Sequence, residues 1–342
     1  MQITLVSEKP SEWFGISRYQ QCLVNQYKGK VKVISPFIPS WLPKKIRNVL
    51  RTYPLFVKRD KICKNNILHF TSQNQALLIR KTDNAILTVH DIIPYITNEY
   101  HSILEKVLYK KCLSKIKYAS HVIVDSLNTK RDLIKKIHMP EQKITVIYPG
   151  IDDTFRYKKI KRDPYKLLYV GSEMPRKNVH QIIEALAIIK KKFPNIQLTK
   201  IGHPQWRNAR KKHLKLVKQL HLTGNIIWKD YVEDLTHEYS TASVFLFPSC
   251  YEGFGFPILE AMACGCPVVC SDKSSLKEIV GDGALICSPD DPKDIAKKCI
   301  NVLSDKSLQY VMQHKGLMQA KKFTWKKTAQ QTWKCYEKII RY

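Results

Sequence analysis

The sequence predicts an α/β protein built from two doubly wound, Rossmann-like domains with parallel sheets. Three observations carry that prediction. Short apolar runs alternate with amphipathic stretches along the whole chain, the alternation falls into two successive sets, and a polar, basic stretch at residues 152–164 separates them. A length of 342 residues suits about two domains, and 44% hydrophobic with 25% charged residues is ordinary for a globular protein with sizeable cores.

In the first set, strands are expected at residues 2–6, 31–34, 67–70, 85–89, 122–125 and 144–148. Amphipathic stretches such as 104–116 and 130–137 lie between them and read as helices. In the second set the strands are expected at 167–171, 197–202, 225–228, 243–247, 268–271 and 284–286. The expected division is an N-terminal domain at 1–155, a C-terminal domain at 165–322, and a terminal helix at 323–342 packing back on the first domain. Residues 152–164 serve as the linker. No internal repeat interrupts the pattern.

Within the second set, the segment from Pro248 to Val269 concentrates the chemistry. The apolar run Val244-Phe245-Leu246-Phe247 reads as a buried strand, and the Gly253-Phe254-Gly255 that follows permits positive φ and close approach to a ligand. Pro257 suits the first turn of a helix and Gly265 the position just past its end. A glycine loop feeding a helix at the carboxyl end of a parallel strand offers N–H groups to a phosphate. Glu252 and Glu260 would be repulsive beside that phosphate unless they face something else. Each carboxylate accepts hydroxyl hydrogen bonds, so polyols are their natural partners. Glu252, read as a loop carboxylate, is expected to contribute little to the core.

The Glu-x7-Glu spacing, the Glu-Gly-Phe-Gly core at 252–255 and the Glu-Ala-Met-Ala-Cys-Gly-Cys-Pro-Val-Val run from Glu260 resemble the retaining glycosyltransferases of family 4, which have the two-domain GT-B fold with the domains facing a central cleft. The resemblance implies that Glu252 holds donor-sugar hydroxyls and Glu260 the ribose of a nucleotide sugar, with Gly253, Phe254 and Gly255 beside them. Gly171, at the head of Gly171-Ser172-Glu173-Met174-Pro175-Arg176-Lys177-Asn178, opens what looks like the family's diphosphate clamp. There Arg176 supplies a bidentate fork and Lys177 a point charge for a leaving diphosphate. Many relatives carry a further Arg where this chain has Ser172.

Thr88-Val89-His90-Asp91-Ile92-Ile93-Pro94 resembles the family's His-Asp motif, in which His90 would contact the donor sugar or help orient the reacting centre. Gly15 resembles the N-terminal glycine loop, and Tyr231 with Val232 the base-binding segment, where Asp230 replaces a common glycine. The catalytic set so implied is Glu252, His90, Arg176 and Lys177. The motifs are most reminiscent of mannosyltransferases, which makes GDP-mannose the first expected donor and a UDP-hexose the second. Retention, a glycan or lipid-linked acceptor, and independence from metal or other cofactors are further implications of the resemblance.

Composition bears on partners. A formal net charge of +29 predicts attraction to polyanions, and residues 28–64 hold eleven Lys or Arg against the single acid Asp60. Within them, residues 41–53 place Trp41, Leu42, Ile46, Val49, Leu50 and Tyr53 at helical spacing, with Lys44, Lys45, Arg47 and Arg51 elsewhere on the wheel. This segment is either an anionic-membrane dock or an ordinary domain helix. A nucleic-acid-binding protein would explain the charge but not the paired carboxylates, and no nucleic-acid motif is present, so no specific nucleic-acid partner is expected. The dinucleotide fingerprint Gly-x-Gly-x-x-Gly and the P-loop pattern are both missing. No 18-residue apolar run or secretory leader is evident, so the chain is expected to be cytoplasmic, whether or not it sits peripherally on a membrane face. The ten cysteines are scattered, and Cys264, Cys266 and Cys270 read as small buried hydrophobes and not as a metal set.

Overall fold

The computed structural model describes residues 3–6, 15–27, 29–36, 38–43, 47, 49–50, 52–55 and 66–340. Contacts divide the chain into two units, residues 1–150 with 324–342 and residues 151–323.

The first unit runs β1 (Ile3–Val6), α1 (Gly15–Tyr27), β2 (Val31–Ile34), β3 (Ile67–Phe70), β4 (Ala85–Val89), α2 (Ile93–Thr97), α3 (Ile103–Lys115), β5 (His121–Val124), α4 (Leu127–Ile137) and β6 (Ile144–Val146). Its strands pair in parallel in the order β2-β1-β3-β4-β5-β6. β1, β3, β4 and β5 are buried along their whole length, as expected for apolar runs covered by helices on both faces. Side-chain caps start α3 and α4: Ser102 accepts from the Glu105 N–H, and Ser126 from the Thr129 N–H, each satisfying a backbone donor that a helix start leaves unpaired.

The second unit runs β7 (Lys166–Val170), α5 (Val179–Lys192), β8 (Gln197–Ile201), α6 (Ala209–Gln219), β9 (Ile226–Lys229), α7 (Leu235–Thr241), β10 (Val244–Phe247), α8 (Phe256–Ala263), β11 (Val268–Cys270), α9 (Leu276–Val280), β12 (Ala284–Ile286), α10 (Pro292–Ser304) and α11 (Lys306–Ala320). Its parallel order, β12-β11-β10-β7-β8-β9, is the doubly wound dinucleotide-fold order. Strand order reverses between β7 and β10, so the loops leaving those two strands open side by side at the switch point, where ligands of such sheets bind. The chain then returns to the first unit as α12 (Trp325–Ile340). There the Tyr27 hydroxyl donates to the Ala329 carbonyl at 3.1 Å, and Tyr336 bonds His69 at 2.7 Å.

Residues 152–164 are not a free linker. The Asp163 N–H bonds the Thr241 carbonyl at 2.9 Å, the Ser243 hydroxyl returns to the Asp163 carbonyl, and the Arg162 guanidinium donates to the Gly265 carbonyl and to Gln313. The stretch is polar because it satisfies backbone groups of the second unit, which composition alone cannot reveal. In the 41–53 segment, Lys44, Lys45, Ile46 and Arg51 lie outside the described residues. Of the rest, Leu50 and Tyr53 are buried, Val49 packs against the first unit's core, and Trp41 is 80% exposed. Cys264, Cys266 and Cys270 are buried with free thiols, and burial pushes the thiols of Cys264 and Cys266 up to about 12.

Gly150, the last residue of the first unit's opening segment, runs against the start of α12. A Cβ there would sit 2.1 Å from the Trp325 backbone nitrogen, a distance that neither backbone can relieve without moving. Gly150→Ala should therefore lower stability by about 1 to 3 kcal/mol, the usual cost of forced overpacking. Urea denaturation checks it, and an unchanged midpoint would refute the close approach.

Candidate functional site

The loop after β7 and the loop after β10 are tied by backbone before any side chain is considered, since the Cys250 N–H donates to the Arg176 carbonyl at 2.8 Å. Asn178 reinforces the tie. It sits in the left-handed region at φ 61°, a conformation Asn tolerates better than most residues, and its amide donates to the carbonyls of Pro248 and Pro289. Pro175–Lys177 forms a single 3-10 turn ahead of α5, which lifts Arg176 and Lys177 toward the neighbouring loop.

Both cations turn onto Glu252. The Lys177 ammonium lies 2.6 Å and the Arg176 guanidinium 3.9 Å from Glu252 Oε1, with side chains only 9 to 18% exposed across the three. Lys177 also stands 5.0 Å above the Phe247 ring. Burial alone would raise the pKa of Glu252, but Lys177 and then Arg176 outweigh it and hold the carboxyl below its ordinary range. The sequence expectation of a loop carboxylate with little part in the core is thus corrected: Glu252 is a buried ion-pair member. Its loop is braced by Ser274, whose hydroxyl accepts the Glu252 N–H at 2.7 Å, and by Ser275, whose hydroxyl bridges the carbonyls of Glu252 and Phe254. Neither serine was singled out in the sequence.

Gly255 occupies φ 114° as the residue capping α8, a conformation that explains glycine there. Phe254 points away from solvent into a ring cluster with Phe256 and Phe323, so its side chain belongs to the core and its backbone to the loop. Glu260 lies on α8, 5% exposed, and accepts from the Tyr239 hydroxyl at 3.1 Å. Gly171 closes β7. Tyr231 and Val232 follow β9, two strands from the switch point, and Tyr231 is 53% exposed. In the first unit Gly15 begins α1, and His90 follows β4 with both ring nitrogens engaged, by Asp125 at 2.6 Å and the Thr71 carbonyl at 3.0 Å.

A family profile described as "Glycosyl transferases group 1" matches residues 151–317, and one described as "Glycosyltransferase Family 4" matches residues 18–155. The O-antigen chain mannosyltransferase B of Escherichia coli is 31% identical over 283 residues, 76% of this chain and 72% of that one. This chain belongs to the family 4 glycosyltransferases. The O-antigen chain mannosyltransferase RfbU of Salmonella typhimurium is 30% identical over 232 residues, covering 67% of this chain and 63% of the relative. Among solved structures, Anabaena Alr3699/HepE in complex with UDP superimposes at a TM-score of 0.75 with 17% identity, over 99% of this chain and 100% of that one. The sucrose-phosphate synthase of Thermosynechococcus elongatus does so at 0.76 with 20% identity over the full length of both. The fold of this glycosyltransferase is therefore GT-B.

Sequence reading also missed a buried network at the carboxyl ends of β7 to β9. Glu173, with no side-chain exposure, takes Lys200 at 2.9 Å, Arg210 at 2.7 Å and His213 at 3.0 Å, while Arg210 continues to Asp230 at 3.1 Å and lies 4.5 Å over the Trp228 ring. The one signal available was a lysine inside an apolar strand. Burial would raise the Glu173 pKa, but bonds from His213, Arg210 and Lys200 bring it to about 2. Because this folded value lies below the ordinary 4.5, the stabilisation is present above about pH 4.5 and fades as pH falls toward 2. Glu173→Gln should cost about 3 to 5 kcal/mol at pH 7, since it strands buried cations, and the gap to the parent should narrow at pH 3. Equal gaps in urea denaturation at the two pH values would refute the assignment.

Proposed function

We propose that this glycosyltransferase moves a hexose from a nucleoside diphosphate to an acceptor hydroxyl with retention of anomeric configuration. The donor we propose first is GDP-mannose, and a UDP-hexose is the alternative. What carries the reading is the pairing of Arg176 and Lys177 with Glu252 at the sheet's switch point, where cations for a diphosphate and an acceptor for sugar hydroxyls lie within 3.9 Å of each other. The choice of mannose rests on the named activities of the mannosyltransferase relatives, whereas the UDP complexes of the structural neighbours support the alternative.

In the mechanism we favour, the acceptor oxygen bonds to the anomeric carbon on the face from which the diphosphate departs. The carbon–oxygen bond to the diphosphate breaks, and the acceptor proton passes to the leaving phosphate oxygen. Arg176 and Lys177 stabilise the charge that accumulates there, so no metal is required. Before the donor enters, those cations neutralise Glu252. An arriving diphosphate competes for them and frees the carboxylate to accept sugar hydroxyls, while Glu260 takes the ribose and Tyr231 with Val232 flank the base. His90 contacts the transferred sugar, and Gly15, Gly171, Gly253 and Gly255 let the donor approach the protein backbone.

The test is a hydrolysis panel of GDP-mannose and UDP-hexoses with purified protein. Glu252→Gln should slow turnover of the preferred donor roughly 10- to 200-fold, the equivalent of about 1.5 to 3 kcal/mol for hydrogen bonds to a charged group. Neutralising both Arg176 and Lys177 should abolish measurable binding of the nucleoside diphosphate by calorimetry, and EDTA should leave turnover intact. Hydrolysis of no nucleotide sugar, or near-normal turnover by folded Glu252→Gln protein, would overturn the reading.

A membrane-borne, lipid-linked acceptor has its own support. On α3, Ile103 is 84%, Leu104 54% and Val107 56% exposed, and the same face continues into exposed Lys110 and Lys111. Apolar side chains beside lysines suit an anionic bilayer surface, and we propose peripheral docking there. Among the described residues no helix is long and apolar enough to cross a membrane. The parent should sediment with anionic liposomes, and a variant with serine at 103, 104 and 107 should not. Identical behaviour of both proteins on anionic and neutral liposomes would eliminate this surface.

A further inference from the structure

His90 is held more tightly than substrate contact alone demands. Its Nδ1 lies 2.6 Å from Asp125 Oδ2 and its Nε2 3.0 Å from the Thr71 carbonyl oxygen. Both partners are acceptors, whereas a neutral imidazole carries one N–H and would turn a lone pair toward one of those oxygens. Both contacts are hydrogen bonds only when the ring carries two N–H groups. The backbone is clamped as well: the His90 N–H donates to Gln73 Oε1 at 3.2 Å, and the His90 carbonyl accepts from the Thr129 hydroxyl at 3.2 Å. Tyr19 from α1 meets the ring edge-on, with centroids 4.9 Å apart.

Asp125 is 2% exposed, and its Oδ1 finds no hydrogen-bond partner among the described residues. The bond to His90 is therefore the contact that offsets the burial of this carboxylate. We propose that Asp125 is a positioning residue for sugar transfer, holding His90 as a two-donor ring whose Nε2–H, shared with the Thr71 carbonyl, is offered to the donor sugar, so that the ring serves as a hydrogen-bond donor and not as a base. This rests on the reading that His90 contacts the donor sugar.

The groups facing the ring agree in sign. Asp125 arrives from the end of β5 and Asp91 follows His90 in the chain, while His69 on β3 is kept neutral by burial and then by the charge of His90, with its pKa near 3. Burial of His90 itself favours the neutral ring, but Asp125, the Thr71 carbonyl and Asp91 outweigh it and raise the pKa above the ordinary 6.5. The raised value means that the pair's contribution is complete below pH 6.5 and is lost as pH rises through the folded value.

Asp125→Asn retains an oxygen acceptor for Nδ1 and removes only the charge. In protein with 15N-labelled histidine, the His90 ring of this variant should titrate at least one unit lower than in the parent. The alkaline limb of kcat for the preferred nucleotide sugar should move down with it, so that kcat at pH 8 falls about tenfold while donor KM stays within about twofold. Asp125→Glu, which restores the charge, should recover part of the shift. An alkaline limb and a ring titration unchanged in Asp125→Asn would overturn the proposal while leaving the role of His90 intact. Near-normal turnover by His90→Gln would instead remove His90 from the reaction, and the positioning role with it. Should Asp125→Asn fail to fold, the parent alone decides: a neutral, single-donor His90 ring at pH 7 refutes the proposal, and two protonated ring nitrogens support it.

Discussion

The pairing of β7 with β10 is the constraint on which the second unit's site depends. Val244 lies opposite Leu167 and Phe245 opposite Leu168, although nearly eighty positions of chain separate them. Both strands are apolar because both faces of the sheet are covered, so their register is set by burial and not by any residue of the site. Once they are paired, the loops that leave them must share one edge, and the 2.6 Å contact between Lys177 and Glu252 follows. A register slip would remove the site without altering a single functional side chain.

The same solution to buried charge recurs at three strand exits. Glu252 meets Lys177 and Arg176, Glu173 meets Lys200, Arg210 and His213, and Asp125 meets His90. Each carboxylate is desolvated, and each would be costly alone, since breaking such a pair strands a charge in a poorly solvated place. They differ in what can replace the partner. Glu173 is enclosed by two cations and a histidine and has no exposed side-chain surface, so it serves as a fixed brace for the loop that begins at Gly171. Glu252 lies at a switch point, where on the proposed function an incoming diphosphate takes over its cations.

Much of this was legible in the sequence, for identifiable reasons. All twelve strands of the described residues fall on expected runs to within a few residues, the central ones because strands buried on both faces must be apolar throughout. The glycine loop at 253–255 and the helix that follows were legible because φ 114° at Gly255 and Pro257 near the helix start are strict local requirements. What stayed hidden was long-range pairing. Glu173, Lys200, Arg210 and His213 come from three different elements, and nothing near Glu173 in the sequence announces its partners. Asp125 read as the last residue of a strand, whereas the strand ends at Val124 and releases Asp125 toward His90. The stretch 152–164 read as a linker because polarity was visible and its hydrogen-bond partners were not.

The excess of positive charge takes on a definite meaning beside these pairs. With 58 basic against 29 acidic residues, a carboxylate buried against a cation removes one charge of each sign and leaves the exterior with the whole net excess of +29. The acids at the strand exits are used inward, on Lys177, Lys200 and His90, so the surface field remains attractive to anions while the interior stays compensated. On the proposed function, an anionic nucleotide sugar drawn by that field arrives at Arg176 and Lys177. On the proposed function, a diphosphate entering there meets two cations that a single carboxylate leaves incompletely neutralised, and the cost of desolvating those cations was already met when the protein folded.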